Sequence, residues 1–259
     1  MKTIYYLCGL PRSGNTLFGS LLNQNPKIQV TSNSIVCDML WQIEKLKNIR
    51  TFINFPDHSS FDNVSKNIIL NYYQNWDYEI IIDRSSWGSP NNLKILEKYS
   101  PNKIKFIILV RDVQNIVASF IKWSEENKPN FLDNETDGTT RTKCEYLMRN
   151  DLQIVQDYCS AYNIMQSGHS YYLIDYVNLV NDTKNILSGL YDFLEIEHYD
   201  HKFTNLKQFS ANKNFYDDRE VGNNLHHIRT DKIEMNQYEV NKYIPDDLIN
   251  YYSTLNFWK

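Results

Sequence analysis

The chain lacks several features that define functional classes. Its four cysteines, Cys8, Cys37, Cys144 and Cys159, lie far apart and form no C-x-x-C pair, so zinc and dithiol redox motifs are missing. Reduced structural thiols in a cytoplasmic protein are the expectation. Positive charge is short, with a formal net charge of −4. That argues against nucleic acid or a membrane surface as partner, since both need a broad basic face. No apolar run approaches the length of a membrane span. The segment MKTIYYLCGL runs into Pro11 and Arg12 without a small-residue cleavage site and reads as a first strand, not a signal peptide. No repeat is visible, nor any linker long enough to split the chain. Its 259 residues suffice for one core, and a single domain over residues 1–259 is expected.

What is present is an alternation of strands and helices. Residues 3–8 (TIYYLC), 79–82 (EIII), 105–110 (KFIILV) and 170–174 (SYYLI) read as strands, with 105–110 the clearest buried one. Helical spacing covers 16–22, 35–46, 59–73, 90–99, 113–123, 141–165 and a stripe after Asp182. The polar stretch 124–142 reads as a loop or lid, and 200–244 as irregular. Such an order implies an α/β fold with a central parallel sheet flanked by helices. Ligands of such sheets sit at the C-terminal strand ends, where Cys8/Gly9, Asp83 and Arg111 fall.

Between the first strand and the first helix lies GLPRSGNT (9–16). This is the spacing of a phosphate-binding P-loop, whose backbone N–H groups and helix N-terminus hold an anion. Arg12, Ser13 and Thr16 add side chains suited to phosphate. Asn15 stands where an ATP-binding loop has the lysine that reaches the β- and γ-phosphates. Arg12 supplies the charge from a different point, with a planar fork.

The loop resembles the 5′-phosphosulfate loop of PAPS-dependent sulfotransferases, most closely the P-R-S-G-T-T form of tyrosylprotein and carbohydrate sulfotransferases. The resemblance implies a P-loop nucleotide-kinase-like fold and 3′-phosphoadenosine 5′-phosphosulfate (PAPS) as co-substrate, leaving adenosine 3′,5′-bisphosphate (PAP). It assigns Pro11, Arg12, Ser13, Gly14, Asn15 and Thr16 to the 5′-phosphosulfate. In FIILVRDVQNIVASF (106–120) it assigns Arg111 and Ser119 to the 3′-phosphate. Tyr176 takes the position near the adenine, and Arg229 in LHHIR matches a basic segment over the 3′-phosphate. IIDRSSW (81–87) resembles a D-K-[ST] segment, which puts Arg84 near the transferred sulfuryl group.

Sulfuryl transfer needs an acceptor hydroxyl or amine, a base for its proton, and positive charge on the sulfonate and the leaving phosphate. No metal is required. Arg12 and Arg84 would supply the charge. The family's bases are a glutamate near the position of Asn33 or a histidine in K-T-H, and this chain has neither. Asp83 is the nearest carboxylate, either as base or as a structural partner of Arg84 or the loop. His226 and His227 are further proton carriers, and Trp123 with 124–148 either lines the acceptor pocket or fills core. Two other readings stay open, a P-loop kinase or NTPase and a catalytically inactive nucleotide-binding protein.

Overall fold

The computed structural model describes residues 2–220, 224–235 and 239–259. The elements run β1 (Thr3–Gly9), α1 (Asn15–Leu22), β2 (Ile28–Asn33), α2 (Val36–Lys45), α3 (Arg50–Asn54), α4 (His58–Tyr72), β3 (Ile80–Arg84), α5 (Pro90–Tyr99), β4 (Lys105–Val110) and α6 (Val113–Glu126). Then follow α7 (Phe131–Glu135), α8 (Thr140–Leu147), α9 (Gln153–Gln166), β5 (Ser170–Asp175), α10 (Tyr176–Asn181), α11 (Thr183–Leu194) and α12 (Asp246–Ser253).

The five strands form one sheet in the order β2-β3-β1-β4-β5, with every neighbouring pair parallel. β1 is central, in register with β3 through Tyr6↔Asp83 and with β4 through Cys8↔Ile108. Side chains alternate across the sheet. Ile4, Tyr6 and Cys8 join one core with Phe106, Ile108, Trp87 and Ile164, while Tyr5 and Leu7 join the other with Ile107, Leu109, Phe18 and Leu187. Helices cover both faces, which is why β1 and β4 are near-continuous apolar runs.

The expected α/β architecture is present, with differences in detail. β2 was not anticipated. Residues 124–142 are not an open loop: α6 continues to Glu126, and α7 and α8 follow. The long helix expected over 141–165 breaks between α8 and α9. Asp182 does stand at the start of α11, but its side chain makes no capping bond; Asp175 caps α10 instead, accepting from Val177 N at 2.8 Å. Among the described residues no helix is long and apolar enough to cross a membrane.

Candidate active site

The strand order reverses between β3 and β4, on either side of β1, and the crevice beyond these strand ends is where such sheets hold ligands. The loop after β1 fills its mouth. Arg12 (φ 58°) and Gly14 (φ 86°) both adopt left-handed backbone, which curls the chain around a concavity. Gly14 precedes α1 and offers no side chain to cap it, so N–H groups of the first turn stay directed at the concavity. Gly14 also packs against a ring: a Cβ there would lie 2.9 Å from Tyr176 Cδ2.

The loop is braced from within. Ser13 is fully buried, and its hydroxyl donates to the Leu10 and Leu109 carbonyls. Asn15 donates its amide to the Leu10 carbonyl at 2.7 Å and rests over Gly9, where a Cβ would collide with Asn15 Oδ1 at 1.8 Å. The residue in the P-loop lysine position is therefore spent on the loop's own backbone.

A cavity of about 590 Å³ extends from this loop, in the range of small-molecule sites. Pro11, Arg12, Gly14, Asn15 and Thr16 border one end; Arg111, Ser119, Tyr176 and Arg229 also line it, and Arg84 stands on its edge. Of the residues expected to hold the co-substrate, only Ser13 lies outside the lining. Elements far apart in sequence converge here because β1, β3, β4 and β5 all end on one side of the sheet.

The arginines are fixed in distinct ways. Arg111, at the end of β4, donates to the Arg12 carbonyl at 2.9 Å and lies 4.5 Å over the Tyr176 ring. Arg12 donates from Nε to Ser119 Oγ at 3.0 Å and from Nη1 to the Leu225 carbonyl at 2.6 Å. This departs from the expectation that Arg12 faces the transferred group: its guanidinium turns toward α6, on the Ser119 side. Arg229 bonds Glu234 at 2.9 Å across its own turn.

Asp83 takes a structural place. It is 0% exposed and borders neither this cavity nor its neighbour. Its carboxylate accepts from Tyr73 Oη, from Trp87 Nε1 at 2.9 Å and from Ser34 Oγ at 2.9 Å, not from Arg84. Burial holds its pKa above the usual carboxylate range. Trp123 packs tilted against Phe131 at 5.8 Å and also lines a smaller cavity beside Arg12, Ser119 and Arg229.

Sequence reasoning named His226 only as a proton carrier and did not fix its place; the residue borders the cavity, with Nδ1 on Asp218 Oδ1 at 2.6 Å and its ring stacked 3.7 Å from Tyr216. Burial holds this imidazole below its ordinary pKa. Sequence reasoning missed Asp157. Asp157 on α9 is 4% exposed and borders a second cavity on the far side of Arg84. Its signal was available: buried residues of α9 fall at Ile154, Asp157, Ser160, Ala161 and Ile164, so an acid occupies the core-facing stripe.

Over residues 6–201 the chain matches the model described as the Sulfotransferase family. A search of curated proteins found no match. Among solved structures it is similar to sulfotransferase STF9 from Mycobacterium avium, 12% identical over 98% of this chain and 75% of that one, with a TM-score of 0.52. It is also similar to the sulfotransferase domain of the Synechococcus PCC 7002 olefin synthase, 16% identical over 76% and 75% of the two chains, TM-score 0.48. Mouse sulfotransferase SULT7A1, solved with PAP, is 16% identical over 77% of this chain and 59% of that one, TM-score 0.46.

Proposed function

The chain belongs to the sulfotransferase family, and we propose that it moves a sulfuryl group from PAPS to a hydroxyl or amine acceptor, releasing PAP. One observation carries the reading. A single cavity has a phosphate loop at one end and Arg111, Ser119 and Arg229 along its wall, with Tyr176 packed against the loop. A nucleoside that carries two phosphate groups would set one on the loop and the other on these side chains. The first-turn N–H groups of α1 would take the 5′-phosphosulfate. Arg12, Ser119 and Arg111 would meet the 3′-phosphate, and Tyr176 would border the base. Arg84, on the edge of both cavities, is then the cation beside the transferred group, where it offsets charge developing on the sulfonate and the leaving phosphate.

The kinase reading is disfavoured by Asn15, which carries no charge and bonds the Leu10 carbonyl. Titration calorimetry with PAP, AMP and magnesium-ATP separates the two. PAP is expected to bind at least tenfold tighter than AMP, and Arg111→Ala to erase most of the difference, since a charge-assisted contact to phosphate contributes about 1.5–3 kcal/mol. Equal affinity for PAP and AMP sinks the proposal, and magnesium-dependent ATP binding tighter than PAP favours the kinase.

A further inference from the structure

The second cavity opens beside the first and shares Asn33, Arg84 and Gln153 with it. Its walls carry hydroxyls and side-chain amides, including Ser34, Ser86, Asn92, Asn150 and Asn163, and no aromatic side chain of the described residues lines it. Two carboxylates reach the wall. Asp38 on α2 is exposed, whereas Asp157 is buried. Ser86 Oγ donates to Asp157 Oδ1 at 2.8 Å, which fixes the carboxylate beside the cavity.

We propose that this cavity is the acceptor site, that it takes a hydroxyl-rich, non-aromatic acceptor such as a monosaccharide or cyclitol, and that Asp157 is the general base. The inference rests on the sulfuryl-transfer reading. A wall of amides and hydroxyls favours a ligand that replaces the water bonds it strips away, and a planar apolar ring leaves those groups unpaired. Aromatic acceptors also find no ring here to stack on.

The step balances on this chain's residues. The acceptor oxygen forms a bond to sulfur, and its proton passes to the Asp157 carboxylate. The S–O bond to the 5′-phosphate breaks, and its electron pair leaves on the phosphate of PAP. Arg84, shared by the two cavities, stands beside the bond being exchanged. Burial holds the Asp157 pKa above the usual carboxylate range, against the opposing pull of Arg84 and of hydrogen bonds from Gln153 and Ser86. That makes it a stronger base than an exposed carboxylate. The other titratable groups on this cavity's wall are Asp38, Cys37 and Cys159, and Cys8 from β1 lies behind Asp157; burial pushes the Cys8 and Cys37 thiols up to about 12, so both stay neutral. His226 borders only the first cavity, on the co-substrate side.

Transfer from radiolabelled PAPS is measured to glucose, N-acetylglucosamine, myo-inositol and 2-naphthol, with PAP calorimetry on the same protein. Label is expected in at least one of the hydroxyl-rich probes and not in naphthol. Asp157→Asn should lower kcat by on the order of 10²–10⁴-fold, with KM and PAP affinity within about threefold of wild type and the acid limb of the pH–rate profile gone. Preferred labelling of naphthol, or no label in any probe while PAP binds, overturns the acceptor class without a variant. An Asp157→Asn enzyme with near-wild-type kcat, or an acid limb lost on His226→Gln and retained in Asp157→Asn, overturns the base. If wild type does not bind PAP, the sulfuryl-transfer reading itself has failed.

Discussion

Asp83 and Asp157 are both buried carboxylates, and their neighbours leave them in different settings. Three donors, from Tyr73, Trp87 and Ser34, saturate Asp83. Asp157 keeps one face toward a cavity. For Asp83 the consequence is thermodynamic. Its folded pKa lies above the unfolded value of about 3.9 because burial disfavours the charge. Between those two values the folded chain holds a proton that the unfolded chain has released. Acidification from neutrality through the raised pKa therefore stabilises the fold, and the gain levels off below the unfolded value. Asp83→Asn leaves at least one buried donor without an acceptor and should cost about 1–3 kcal/mol. It should also remove the titration, so the stability gap between wild type and variant widens in urea unfolding as the pH falls from neutrality toward the unfolded value. A gap that stays constant over that range would refute the assignment.

At the scale of elements, the phosphate loop is the tightest piece of construction. Gly14 needs a left-handed backbone and has Tyr176 against it, whereas Gly138 has a similar φ of 83° with nothing within 4 Å. Gly138→Ala thus reports backbone strain alone, about 1–2 kcal/mol. Gly14→Ala adds the collision and should lower Tm further, at about 2–4 °C per kcal/mol, with weaker PAP binding because Tyr176 must move. Identical losses at the two glycines, measured by calorimetry, would show that the crowding does not matter. The loop, β1, β4 and α5 were legible because each is a local pattern: a turn spacing, an apolar run, a proline at a helix start. β2 was not. Gln29 and Thr31 are polar yet buried, and Gln29 donates to the Ser210 carbonyl at 3.1 Å, a partner far along the chain. Residues 124–142 misled in the same way. Buried Lys143 donates to Asp133 and to Ser124, so polar residues expected on a lid are satisfied within packed structure. Arg12 was placed in the site from sequence, but its direction was not, because that direction follows from a left-handed backbone and from Ser119.

Across the whole molecule, the site is a product of topology. Parallel strands deliver the phosphate loop, Arg84, Arg111 and Tyr176 to one edge, and the 224–235 segment closes over them with Leu225 held by Arg12. Sequence order put Cys8/Gly9, Asp83 and Arg111 at strand ends; Gly9 and Arg111 line the two cavities, and Asp83 borders neither. The pairing of Asp218 with His226, and the reach of α9 to the second cavity, depend on contacts that no local pattern encodes.

The central place of β1 has a consequence for synthesis on the ribosome. Both of its sheet neighbours come later in the chain, at Ile80–Arg84 and Lys105–Val110. A nascent chain that has exposed only the first of them carries the phosphate loop on a strand with one open, apolar edge. Protease protection at Tyr5 and Tyr6 should appear only in ribosome-arrested chains whose β4 has left the exit tunnel, and protection in shorter arrested chains would contradict it. The phosphate loop is thus translated before either of the strands that flank β1, and its strand keeps an open apolar edge until β4 emerges, an edge that a holding chaperone would recognise.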